Sequence, residues 1–244
     1  MLIFPNGIKA IFFDLDGTLR HNRPEGSQAF WGYAETLGHK FPKESKARAL
    51  RWTHEYFANS QALEEDAKTY PDEEAFWLNY GRRHLQVLGL ESELALEVAP
   101  KINTYMQTEY EPEDWVPPEV PQLLKELRAA GFIVAIMTNR TNPIDEMLPE
   151  WGFDGLVDFH YTAGEVGCYK PLPGFFDRAL ELTNLRPEQT VYVGDNYFAD
   201  VRAAQEAGVH PVLLDPRRVF PEADCTVIDK IEQVKELLEQ KALS

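Results

Sequence analysis

Two aspartates one residue apart, Asp14 and Asp16, follow the apolar run Ile11-Phe12-Phe13 and precede Gly17 and Thr18. A carboxylate at the end of a buried strand is costly to desolvate unless it has a partner or a task. Carboxylates can attack as nucleophiles, bind a hard cation or carry a proton in acid–base catalysis. Three more polar groups stand far along the chain: Thr138-Asn139, Lys170-Pro171, and Gly194-Asp195-Asn196 with Asp200. Each has an ordinary structural use. Asp-Gly forms turns, Thr and Asn cap helices, acids favour a helix's first turn, and lysines are usually solvated. What sets these four apart is shared placement, at the C-terminal ends of predicted strands or just beyond. Open parallel α/β sheets bind their ligands there.

The elements that must position them alternate. Ile8–Asp14, Phe132–Thr138, Val157–Thr162, Thr190–Val193, Pro211–Leu214 and Cys225–Ile228 read as short apolar strands. Val120–Ala130, Pro143–Trp151, Gly174–Thr183, Phe198–Ala207 and Ile231–Gln240 read as helices between and after them. This alternation predicts an α/β fold, a Rossmann-like parallel sheet with helices on both faces. From about residue 22 to 112 the pattern becomes all-helical: Ser27–Leu37, Lys43–Ala67, Pro71–Val87 and Ser92–Glu109. Pro42 and Pro71 near helix starts, and Gly38 and Gly89 near ends, punctuate it. The aromatics there read as a bundle core, and the four-proline connector EPEDWVPPEVP as a stiff linker. The predicted division is a core of 1–20 and 117–244 with an inserted all-helical cap domain of 21–116.

Bulk properties bound the function. At 244 residues the chain makes one large domain or two small ones. Its net charge of −16 argues against a nucleic-acid footprint and against an anionic membrane surface. An anionic substrate must therefore be caught by local cations. Cys168 and Cys225 match neither a disulfide framework nor a zinc cluster. With no signal-peptide pattern and no apolar run of membrane length, the expectation is a cytoplasmic protein.

In order and context, DLDGT at 14–18, Thr138, the KPLP run at Lys170, and GDNYFAD at 194–200 resemble the four motifs of the haloacid dehalogenase superfamily, in its phosphatase branch. The helical insertion sits where that family carries a small cap. The resemblance implies a Mg²⁺-dependent phosphatase acting on a small phosphorylated metabolite. Asp14 would be the nucleophile, forming an aspartyl phosphate, and Asp16 the general acid–base. Metal ligands would be the Asp14 and Asp195 carboxylates and the Asp16 backbone carbonyl. Thr138, Asn139 and Lys170 would bind the phosphate, with Asp200 and Asn196 behind them orienting water or Lys170.

Other readings compete. A phosphomutase uses the same four motifs and stays open. Haloacid dehalogenases typically lack the second Asp and need no Mg²⁺, so Asp16 and Asp195 disfavour that branch. Phosphonate hydrolysis needs a cap lysine, and Lys40, Lys43, Lys46 and Lys68 lack an apolar setting. Receiver domains carry their phosphoacceptor on the third strand, not the first, and a scaffold-only member would not need four intact motifs. In the cap, His21, Arg23, His54, Arg82, Arg83 and His84 are the polar groups that could read a leaving group. The Arg82-Arg83-His84 cluster suits an acidic one, such as glycolate, a sugar phosphate or a nucleotide. A solvated face or a salt bridge is the plainer use of each.

Overall fold

The computed structural model describes residues 7–58 and 60–239. The chain opens with β1 (Ala10–Phe13) and β2 (His21–Arg23). Five helices follow: α1 (Gly26–Thr36), α2 (Lys43–Phe57), α3 (Gln61–Thr69), α4 (Glu73–Leu88) and α5 (Ser92–Thr108). After β3 (Glu113–Trp115) come α6 (Glu119–Ala129), β4 (Ile133–Thr138), β5 (Phe159–Thr162), α7 (Ala163–Val166) and α8 (Asp177–Thr183). The chain ends with β6 (Thr190–Gly194), α9 (Arg202–Glu206), β7 (His210–Leu214), β8 (Thr226–Ile228) and α10 (Gln233–Glu239).

Six strands form one sheet in the order β5-β4-β1-β6-β7-β8. Neighbours run parallel, with Phe13 in register with Ile136 on one side and Val193 on the other. Side chains alternate across the pleat. Ile11, Phe13, Val134, Ile136, Val191 and Val193 pack on one face with leucines of α6 and with Val234 and Leu237 of α10. Ala10, Phe12, Ala135, Met137 and Tyr192 pack on the other, with Phe175, Phe176, Ala203 and Ala204. A parallel sheet covered on both faces needs such unbroken apolar runs. This is the expected Rossmann-like architecture.

Among the described residues, 7–21 and 114–239 form one compact unit, and those between Asn22 and Glu113 form a second. The second unit has its own core, in which Phe30, Leu85, Leu88, Val98 and Ile102 are buried. Its helices are amphipathic, and α4 stops at Gly89, whose φ of +107° is open to glycine at little cost. None of the helices among the described residues is long and apolar enough to cross a membrane.

Several local expectations are corrected. The helix predicted over Pro143–Trp151 is a chain of turns, closed by bonds such as Trp151 N to Met147 O and Gly152 N to Pro149 O. Pro149 has no N–H to donate and would crowd the carbonyl four residues back. The helix predicted over Lys43–Ala67 is two, broken at Ala58, because the Ser60 hydroxyl caps α3 by accepting from Leu63 N. Gly174–Thr183 begins as a 3₁₀ turn over Pro173–Phe175, and Phe198–Ala207 begins as a π-turn over Tyr197–Val201. The linker contains β3, which pairs with β2. The predicted last helix starts at Gln233 rather than Ile231, and its final residue, 240, lies outside the described residues.

Candidate active site

The DLDGT run leaves β1 into a tight turn. The carbonyl of Leu15 accepts from the backbone N–H groups of Thr18, Leu19 and Arg20, and Gly17 N–H reaches back to Arg20 O. Gly17 has φ +85°, and a Cβ there would stand 2.2 Å from Asp195 Oδ2. Only glycine permits both that backbone and the approach of Asp195. A comparable constraint holds across the sheet, where a Cβ on Gly194 would stand 2.3 Å from Asp200 Oδ2. The two glycines thus admit the two carboxylates that belong to the strand β6 end.

Lys170 ties the ends of the sheet together. Its ammonium donates to Asp14 Oδ1 at 2.7 Å, Asp200 Oδ1 at 2.7 Å and the Tyr192 hydroxyl at 2.8 Å, and the residue is 2% exposed. Three protons meet three oxygens, so the ammonium is saturated. Tyr192 in turn donates to Met137 O at 2.9 Å, anchoring the cluster to β4. Thr18 donates to Asp14 Oδ2 at 3.3 Å. Asp200 uses its second oxygen to accept from Asn196 N at 2.9 Å. Asn196 Oδ1 caps the π-turn, taking Phe198 N and Ala199 N. Asn139 clasps the Lys170 backbone in both directions, donating to its carbonyl and accepting from its N–H. Thr138, buried at the end of β4, takes a long 3.4 Å bond from Arg140 N.

Carboxylate oxygens of Asp14, Asp195 and Asp200 lie within 4.8 Å of one another. Burial, reinforced by its acidic neighbours Asp200 and Asp16, lifts the Asp14 carboxyl to about 7 against the pull of Lys170. Burial also lifts Asp195 well above the carboxylate range, with Asp14 and Asp200 adding to it. Lys170 stays firmly protonated despite its burial, because Asp14 and Asp200 face it. Three carboxylates against one ammonium leave negative charge in a dry place. A divalent cation that prefers oxygen ligands fits such a donor set.

Asp16 is set apart from this group. Arg140 grips it with a two-pronged fork, Nε to Oδ2 at 2.7 Å and Nη2 to Oδ1 at 2.8 Å. Arg20 Nη1 adds a third bond at 2.8 Å and bonds Asp114 as well. Both guanidinium groups lie over the Trp151 ring, whose Nε1 donates to Asp114. Burial pushes the Asp16 carboxyl upward, but Arg140 and then Arg20 outweigh it and hold it below the usual range. Asp14 and Asp16 thus occupy opposed environments, one favouring the proton and the other the charge.

Arg20, Arg140 and Tyr192 were absent from the residues singled out by sequence. The arginines do have a signal: Arg140 directly follows Thr138-Asn139, and Arg20 lies two residues past DLDGT. Tyr192 has none, since an aromatic in a buried strand reads as core. In the helical unit the basic cluster is not an open surface. His84 is 1% exposed and stacked on Phe30, Arg83 pairs with Asp66, and Arg82 bonds Asn79. Lys46 and Lys68 pair with Glu35 and Glu64.

The chain has relatives of known family. The model of the haloacid dehalogenase-like hydrolase family matches residues 8–208. A ribulose-1,5-bisphosphate 5-phosphatase of Halopiger xanaduensis is 30% identical over 89% of this chain and 87% of its own. A haloacid dehalogenase-like hydrolase domain-containing protein 3 of Xenopus laevis is 28% identical, and the match spans 58% of each chain. Among solved structures, a predicted phosphoglycolate phosphatase of Haemophilus somnus superposes with a TM-score of 0.60 at 20% identity, covering 96% of this chain and 99% of that one, a likeness of fold. The chain belongs to the haloacid dehalogenase-like hydrolases.

Proposed function

We propose that this hydrolase removes the phosphoryl group from a small phosphate monoester through a covalent aspartyl phosphate. The observation that carries the reading is the Lys170 clasp, which fixes Asp14 beside Asp195 and Asp200 at the carboxyl ends of β1 and β6. The sheet-bearing unit alone holds every residue involved. The phosphatase named among the relatives supports the reaction class.

Asp14 attacks phosphorus through Oδ2, the carboxylate oxygen that Lys170 does not hold, a P–O bond forms, and the bond to the leaving oxygen breaks. Asp16 delivers a proton to that oxygen, and the alcohol departs. Asp16 then accepts a proton from water as the water oxygen attacks phosphorus, and the Asp14–phosphorus bond breaks to free phosphate. Lys170 offsets part of the charge of Asp14 and Asp200, and holds Asp14 in place for the incoming group. Thr138 and the backbone N–H of Asn139 are assigned to the phosphate oxygens. Mg²⁺ would be held by Asp14, Asp195 and the Asp16 main-chain carbonyl, and supplies charge that offsets the phosphate's when bound.

The test is phosphate release across a panel of phosphomonoesters with excess Mg²⁺, with and without EDTA. Turnover abolished by EDTA, and in Asp14→Asn, is the expected outcome. Absence of Mg²⁺-dependent release across the whole panel would sink the reading.

A further inference from the structure

Asp16 as found cannot perform either proton transfer. Both its oxygens are taken by guanidinium groups in three charge-assisted bonds. A carboxylate so held neither keeps a proton to give nor easily accepts one. The clasp must open during turnover, and something must take the place of Asp16 at the arginine that lets go.

The two arginines are not equally able to let go. Arg20 is nearly buried and bridges a second carboxylate, Asp114. Arg140 has Asp16 as its sole carboxylate partner among the described residues, and its remaining amine meets only the sulfur of Met147, at 3.3 Å. Its side chain is 26% exposed. Lys170 has no spare proton for an incoming anion. In a chain of net charge −16, Arg140 is the cation at this end of the sheet with a fork to offer.

We propose that Arg140 exchanges partners: it holds Asp16 in the resting enzyme and turns to the phosphoryl oxygens when substrate arrives, releasing Asp16 for proton transfer. Arg140 is then a phosphate-binding residue whose availability Asp16 controls. The Trp151 face beneath the guanidinium, 5.2 Å from its centre, supports it in a fixed plane. The inference rests on the phosphatase reading.

Competition for one guanidinium predicts a coupling that a double-mutant cycle measures. The probe is inorganic phosphate, titrated calorimetrically into the full chain with saturating Mg²⁺. Asp16→Asn frees Arg140 and is expected to tighten phosphate binding by about tenfold, within the usual range of site–site coupling. Arg140→Ala is expected to weaken binding. In the Arg140→Ala background, Asp16→Asn is expected to gain less than about twofold, the residue of simple charge removal. Arg140→Lys, which keeps the charge and loses the fork, must also shrink the gain, and it serves if the alanine variant does not fold. An equal gain with and without Arg140, in an enzyme that releases phosphate from its esters, overturns the exchange and leaves the phosphatase reading intact. A wild-type chain that releases phosphate from no ester overturns both.

Discussion

Asp14 and Asp16 differ by one intervening leucine, yet their surroundings ask different things of them. That difference predicts separable defects. Asp16→Ala should slow hydrolysis of alkyl phosphates by about 10²–10⁴, the usual size of a general acid's contribution. Hydrolysis of p-nitrophenyl phosphate, whose leaving group needs little protonation, should fall much less. Steady-state kcat on the two esters checks this, and equal losses would count against the acid role. Asp14→Asn, which removes the proposed nucleophile, should lose both reactions while keeping its circular dichroism spectrum. The acids and Lys170 were legible in sequence because each closes or follows an apolar strand, where the topology has a known use for them. Arg140 was not. An arginine's partner is chosen by tertiary placement, and nothing local to TNR says that its fork will face a carboxylate 124 residues away. Tyr192 was hidden for another reason: its ring belongs to the core while only its hydroxyl belongs to the site.

At the scale of the element, the β6 end carries a constraint that no side chain reveals. Gly194 leaves room for the Asp200 carboxylate, which the following π-turn swings back against the strand. A wider turn of this kind is a common way to aim a functional group. Gly194→Ala should therefore displace Asp200 from Lys170, costing about 1–3 kcal/mol as an overpacking change. Turnover should fall with it, seen as a lower Tm and a lower kcat together. A variant with unchanged kcat would show that the Asp200–Lys170 contact is dispensable. The sequence shows this helix but not its first turn, because helical periodicity does not distinguish an α start from a π start. The stretch Pro143–Trp151 is less legible still, since its helix-like apolar spacing meets Pro149, which withholds the needed donor. The strands themselves were easier, since buried parallel strands declare themselves as short apolar runs.

At the scale of the molecule, the two compact units carry different liabilities. In the helical unit His84 is buried against Phe30, Trp52 and Tyr80, with no hydrogen-bond partner for either ring nitrogen among the described residues. Burial holds its pKa down to about 4, against an ordinary 6.5. The unfolded chain takes up a proton as pH falls through 6.5, and the folded one refuses it until near 4. Stability is therefore complete above 6.5 and drains away between those limits, by about 3 kcal/mol in all. His84→Phe should flatten that part of the stability curve, measured by urea denaturation at several pH values; identical slopes would remove His84 as the cause. The central place of β1 has a consequence in time. Its neighbours β4 and β6 lie roughly 120 and 180 residues downstream, so a ribosome adding about 5–20 residues per second finishes the helical unit before β1 meets either one. For something on the order of ten seconds the nascent Ala-Ile-Phe-Phe segment has no sheet to join, and it offers a chaperone its opening.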